Sequence, residues 1–236
     1  IGFTLAPRLN AAGRLGNVSV AGRLLMTHDE AEANELAAEL CDLNRKRQAL
    51  ETGIWEDASN MMAGQNPDAP IVLASEKWHQ GVIGIAASKL AEQYSLPTIM
   101  ICFDGEKGKG SCRSYGGFNL FDALSACSEH LDGFGGHALA AGLNIRREKL
   151  SDFGGAFSEY YRANKPEELP ALDCDLEILK PEMLDMEGVE SLNTLEPFGS
   201  GNPKPVLCIS GAKLDKITPI GGGRHLRFSI NYRGAG

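Results

Sequence analysis

The chain has 236 residues, of which 43% are hydrophobic and 23% charged. That is an ordinary globular composition, long enough for one or two domains with a real core, and it excludes a low-complexity chain. No apolar run approaches the length of a membrane span, and the formal net charge of −8 argues against nucleic-acid binding over the whole surface. Charge is uneven, however: Lys165 to Glu196 holds ten acidic residues against two lysines, and Lys213 to Gly236 holds five basic residues against Asp215 alone. A nucleic-acid path should therefore follow local basic patches. The six cysteines form no C-x-x-C pair, which disfavours a zinc site and suits a reducing cytoplasm. The start, Ile1-Gly2-Phe3-Thr4, lacks a Met and a signal-peptide core, so the chain reads as a piece of a longer polypeptide.

Residues 1–28 read as a loop, Ala6-Pro7-Arg8-Leu9-Asn10, followed by a short apolar segment from Val18 to Met26. Pro7 biases Ala6 toward extended backbone. Residues 29–64 read as one long helix. Asp29 is a good N-cap with Glu32 three positions on, as in a capping box. Leu36, Leu40, Leu43, Leu50, Ile54 and Met61 give an apolar stripe that Arg47 interrupts. Gly64 and Asn66-Pro67 end it. At 1.5 Å per residue the helix is roughly 50 Å long, which suits a connector between domains as well as a core helix.

Residues 67–165 read as an α/β unit. Strands are expected at Ile71–Ala74, Pro97–Phe103, Gly110–Ser114 and Leu143–Ile145, with helices over Gln80–Gln93, Phe118–Leu131 and Glu148–Asn164. Pro166–Pro170 is an acidic, proline-bounded linker. Beyond it, Leu172–Leu179 reads as a strand and Pro181–Leu192 as helix or turn. Val206–Ile209 and Leu226–Ile230 are β-like, with Gly221-Gly222-Gly223 between them. Short strands with glycine turns suggest a small barrel.

Two stretches carry candidate chemistry. Gly110-Ser111-Cys112-Arg113-Ser114-Tyr115-Gly116-Gly117 sets hydroxyls and a guanidinium among glycines. In a strand Ser111 and Arg113 share a face, and a planar guanidinium fork matches phosphate oxygens. An exposed hairpin with solvated charges explains the same residues. Gly133-Phe134-Gly135-Gly136-His137-Ala138-Leu139-Ala140-Ala141-Gly142 holds one histidine among small residues. If Ala138 to Ala141 begin a helical turn, Gly135 and Gly136 lie near its positive end, which suits an anion, and His137 stands beside it as a donor. The alternative is a tight turn with a buried histidine. Trp78 serves either a base or an interface, and His79 is open between the two.

Gly-Gly-His-x-x-Ala-Ala-Gly resembles the signature of the DHHA1 domain of the DHH phosphoesterase superfamily. Two more stretches, Leu5-Ala6-Pro7-Arg8-Leu9-Asn10-Ala11-Ala12-Gly13-Arg14 and Leu195-Glu196-Pro197-Phe198-Gly199-Ser200-Gly201-Asn202-Pro203-Lys204-Pro205, resemble the branch of single-strand-specific 5′→3′ DNA exonucleases. The resemblance implies an α/β fold: a mixed sheet covered by helices, preceded by a long connecting helix and followed by a partial OB-fold barrel. It divides the chain into 1–28, the tail of a DHH domain; 29–66, the connecting helix; 67–165, the DHHA1 domain; and 166–236, the start of an OB-fold.

The resemblance further implies single-stranded DNA as partner, with no membrane, and a cytoplasmic role in repair and recombination. It makes His137 a catalytic donor. Ser111, Arg113, Ser114, Gly135, Gly136, Arg8, Asn10 and Arg14 become nucleic-acid or phosphate ligands. Mn²⁺ or Mg²⁺ belongs to the parent enzyme, and no residue of this chain is expected to bind it, since the sequence has no Asp-His-His or Asp-His-Asp triplet. The chain alone is expected to be inactive. Two alternatives stay open: a nano-RNase or cyclic-dinucleotide phosphodiesterase of the same superfamily, and a noncatalytic single-strand-binding module.

Overall fold

In the computed structural model, which describes residues 2–65, 67–166, 171–199, 201–221 and 225–232, the chain divides into two units, residues 1–170 and 171–236. The first unit opens with α1 (Ala6–Arg14) and α2 (Val18–Met26), where a loop was expected around Pro7. Pro7 sits in the first turn of α1, where its missing N–H has no helical partner to lose and its fixed φ fits the helix. Val20 of α2 and Ala12 of α1 bury against Leu36 and Leu40 of α3 (Glu30–Met61).

The α3 helix runs 32 residues, as its stripe predicts. Asp29 caps it by accepting from the Ala31 and Glu32 N–H groups. The reciprocal half of a capping box is absent: Glu32 instead accepts from Thr27 and pairs with Arg23. The Arg47 interruption is accommodated by pairing. Arg47 bonds Asn44 and Glu51, and Glu51 also meets Lys89 of the next helix. Leu50 and Met61 remain exposed, while Ile54 and Ala58 are buried.

A five-stranded sheet follows, with β1 (Ile71–Ser75), β2 (Thr98–Asp104), β3 (Lys107–Arg113), β4 (Gly133–Gly136) and β5 (Ala140–Arg146) in the order β1-β2-β3-β5-β4. The β1 and β2 strands are parallel, joined through α4 (Ile83–Tyr94); all other pairs are antiparallel. Helix α4 starts three residues later than expected, because residues 79–82 form a turn. Alternation assigns the two faces. Ile99, Ile101, Phe103, Cys112, Leu143 and Ile145 pack under α5 (Leu120–Ala126) and α6 (Leu150–Asn164), whose Leu124, Phe153 and Phe157 are fully buried. On the other face Met100 packs beneath α4 and the C-terminal half of α3.

The expected helix after Phe118 is shorter and ends in a 3-10 turn at Ser128–His130. The expected helical turn at Ala138–Ala141 does not form. Ala138 and Leu139 lie in the connection, Ala140 and Ala141 enter β5, and Gly133–Gly142 is a β-hairpin.

In the second unit, residues 171–236, β6 (Leu176–Glu177) pairs with β7 (Leu207–Cys208) and β8 (Lys213–Ile220) pairs with β9 (His225–Asn231). The strand expected over Leu172–Leu179 contracts to two residues, and β8 was not foreseen because Pro219 and two lysines hide its alternation. Pro181–Leu192 holds a 3-10 turn and the short α7 (Met186–Ser191), as expected. Tyr232 is buried and donates to the Ile178 carbonyl. The expected linker residues 167–170, and Gly222 and Gly223 of the glycine turn, lie outside the described residues.

Candidate phosphate-binding site

The site starts from strand periodicity. Ser111 and Arg113 alternate onto the face of β3 opposite the aromatic core, while Cys112 between them is fully buried, its thiol pushed up to about 12 by burial. The two side chains meet: an Arg113 guanidinium N–H donates to Ser111 Oγ at 3.0 Å. The same nitrogen donates to the Cys112 carbonyl at 2.7 Å, and Nε donates to Ser88 Oγ of α4 at 3.1 Å. The Ser88 hydroxyl in turn donates to the Gly84 carbonyl.

Gly84 makes room for this cluster. A Cβ there would stand 2.7 Å from the guanidinium and 2.8 Å from Ser111 Oγ. Neither Ser88 nor Gly84 was picked out from sequence. The only signal was a small residue at each of two positions four apart, which also reads as ordinary helix packing.

Arg113 is half-buried and has no carboxylate partner among the described residues. Desolvation lowers its pKa, Cys112 offsets that, and the nearby Arg14 charge lowers it further. A guanidinium held by neutral groups beside another cation keeps donors for an anion.

Beside this cluster lies a cavity of about 700 Å³, walled by the end of α1, the turn before α4, and β3 and β5. Arg14, His79, Lys109, Ser111, Gly142 and Asn144 line it, and none of its lining residues is acidic. In a chain of net charge −8 this is a local reversal of sign. Arg14 is fixed by donation to the Gly81 carbonyl at 3.2 Å. Gly81 is itself compelled, since a Cβ would lie 2.0 Å from the Arg14 carbonyl oxygen.

The other sequence candidates are distributed. Arg8 donates to Thr4 and to Cys41 Sγ and lines an apolar groove between α1, α2 and α3, away from Ser111. Asn10 is exposed on α1. Ser114 follows β3 and commits its hydroxyl to the Phe118 carbonyl, where it shapes a turn. Trp78 is buried and donates to Asp57 Oδ2 at 2.7 Å, so its ring serves the contact with α3 and not base stacking.

Gly135 pairs with Gly142, which pairs with Ser111, so the three share one row and one face. Gly136 has φ +142°, and a Cβ there would strike the Ala140 carbonyl at 2.5 Å. His137 is exposed at the hairpin tip and lines a separate shallow pocket with Asn119 and Phe121. A buried core histidine is thereby excluded. Its N–H bonds the carbonyl of Ala140, the residue paired with Arg113, so the tip extends the Arg113 row. Among the described residues no three His, Cys, Asp or Glu side chains gather as a metal site.

This sheet and hairpin define a DHHA1 domain: residues 68–163 match that family, and residues 174–235 match the RecJ OB domain. The two matches follow in that order along the chain. It is 40% identical over 236 residues to the single-stranded-DNA-specific exonuclease RecJ of Bacillus subtilis, a match that covers 98% of this chain and 30% of that relative. It also matches the crystal structure of Thermus thermophilus RecJ in complex with Mg²⁺, with TM-score 0.82 and 34% identity over 97% of this chain and 36% of that one. The Mn²⁺ complex of the same protein gives TM-score 0.82 and 33% identity, over 98% and 35%. The chain thus spans about a third of these relatives.

Proposed function

We propose that this chain is the substrate-binding part of a single-stranded-DNA-specific 5′→3′ exonuclease, and that Ser111 and Arg113 hold the terminal 5′-phosphate. The observation that carries this reading is the half-buried Arg113, oriented by Ser88 and Ser111, uncompensated by any carboxylate among the described residues, beside a cavity without acidic lining. Arg14 adds charge to the same cavity. His137 donates to a non-bridging oxygen of the scissile phosphate, whose charge rises in the transition state.

Mn²⁺ or Mg²⁺, the ions held by the Thermus relative, would serve the parent enzyme from residues outside this chain. The second unit's basic end, with Lys213, Lys216 and Arg227, supports a further contact with the strand. Arg8 and Asn10 contribute from α1, as part of the surface met by the rest of the longer protein. The cellular role that follows is DNA repair and recombination in the cytoplasm.

The test compares 5′-phosphorylated and 5′-hydroxyl single strands on the full-length protein and its Arg113→Ala variant. Preferential loss of the phosphorylated ligand is expected, and equal loss for both would overturn the assignment. Degradation of long single strands, and not only of dinucleotides, separates this reading from a nano-RNase. The chain alone should show no metal-dependent degradation at any Mn²⁺ concentration. Processive degradation by the pure chain would contradict that.

A further inference from the structure

One exposed ring beside His137 has no part in the phosphate contacts. In α5, Leu120, Ala123 and Leu124 are fully buried, and Phe121 lies off that stripe, 43% exposed. Its surroundings hold it in place. The Phe121 N–H donates to Asn119 Oδ1 at 3.0 Å as part of the helix cap. The Leu120 N–H donates to the Ala138 carbonyl at 2.9 Å, which ties the start of α5 to the tip of the β4–β5 hairpin. The Phe121 ring meets that of Phe134 in β4, with centroids 5.8 Å apart and planes at 57°, and Phe134 packs in turn on the aromatic core. Phe121 then lines the shallow pocket at the tip with Asn119, Gly136, His137 and Ala138. Gly136 and Ala138 add little bulk, so Phe121 and His137 supply its two rings. No lining residue is acidic, and the Asp122 carboxylate, one residue on, accepts from Asn119 Nδ2 at 2.7 Å.

We propose that Phe121 is a stacking platform for the base of the second nucleotide of a single strand. The proposal rests on the reading that the 5′-phosphate sits on Ser111 and Arg113 and that the scissile phosphate meets His137. Phe121 shares its pocket with His137 and not with Arg113. The nucleotide it faces is therefore the one that carries the scissile phosphate on its 5′ side, which is the second. A flat apolar ring stacks on any base through its π-face, so it holds a strand without reading its sequence. Stacking fixes the rotation of that nucleotide and so sets its phosphate against the His137 imidazole.

The test uses the full-length protein with divalent cations chelated, so that nothing is cleaved. The ligands are 5′-phosphorylated hexathymidylate, intact or with a tetrahydrofuran abasic residue at position 1, 2 or 4, and 5′-hydroxyl hexathymidylate. Wild type should lose about tenfold in affinity when the second base is removed. Phe121→Ala should lose about as much on the intact strand, and nothing more on the strand that lacks the second base. Its responses to the other abasic positions, and its ratio between 5′-phosphate and 5′-hydroxyl ligands, should stay those of wild type. Phe121→Trp should keep both the affinity and the dependence on the second base. Phe121→Leu retains apolar packing on Phe134 without a flat face, and should behave as Phe121→Ala does.

A ring that only packs on Phe134 would, when truncated, weaken every ligand by the same factor, the abasic ones included; that result overturns the platform. So does a wild-type protein indifferent to the second base, or a Phe121 effect that depends on the first or fourth base instead; both leave Ser111 and Arg113 in place. Equal wild-type affinity for 5′-phosphate and 5′-hydroxyl ligands overturns the terminal-phosphate reading, and the platform with it.

Discussion

The two faces of β3 and β5 come from the same fourteen residues and do opposite things. On one face Cys112, Leu143 and Ile145 pack on Phe153 and Phe157, and even Gly108 and Gly110 are filled in, since a Cβ at either would lie 2.7 Å from a core side chain. On the other face Lys109, Ser111 and Asn144 line a cavity, with Gly142 between them and Arg113 bonded to Ser111 beside it. Stability is concentrated on the first face, where area is removed from water. The proposed recognition is concentrated on the second, where neither Lys109 nor Arg113 has a carboxylate partner among the described residues. Strand alternation keeps the two tasks one residue apart with little interference.

Substitutions should therefore separate cleanly by face. The largest effect is expected for Phe153→Ala, which should cost about 3–5 kcal/mol of stability by urea unfolding. The folded fraction should keep its preference for 5′-phosphorylated strands; loss of that preference would show that the faces are coupled. Next, His137→Ala should lower kcat of the full-length enzyme by roughly 10²–10³ with little change in KM. Its melting temperature should not move, because the side chain is exposed at the hairpin tip. A destabilised enzyme with normal turnover per folded molecule would refute the catalytic role.

Arg113→Ala should weaken binding of 5′-phosphorylated strands by about 1.5–3 kcal/mol, read by titration against the 5′-hydroxyl ligand. Arg113→Lys should recover only part, since an ammonium cannot bond Ser88 and Ser111 as the fork does. The smallest effect belongs to Ser88→Ala, which removes a neutral partner of Arg113 and should cost about 1 kcal/mol of phosphate affinity. An effect on 5′-hydroxyl ligands of equal size would make Ser88 a packing residue only.

The same contrast explains what the sequence could reveal. Helix α3 was legible because its cap and apolar stripe are local signals, and the Ser111–Arg113 pair was legible because period two is local as well. The hairpin at Gly133–Gly142 was misread. Small residues there suit a helix start by propensity, and only pairing with β3, some thirty residues distant, fixes them as strand. Pro7 misled for the reverse reason, since the residue that breaks a helix interior is favoured in its first turn. Gly84, Ser88 and the approach of Arg14 to Gly81 were invisible, because each depends on which segments meet in space. Arg8 was legible as a polar group among small residues, but not that its guanidinium turns toward Thr4 and Cys41.

The glycines of the open face have one more consequence. Gly142 and Gly135 adopt ordinary backbone angles, and a methyl group at Gly142 would make only normal contact, with its nearest neighbour at 3.6 Å, while Gly135 has nothing within 4 Å. Folding would tolerate larger residues at both. A mutational scan scored by abundance or melting temperature would accordingly rank these positions as neutral. On the proposed reading their value is the volume they leave empty, which only a ligand-scored scan can weigh. A map of this domain built from stability data alone would thus overlook part of the proposed binding surface.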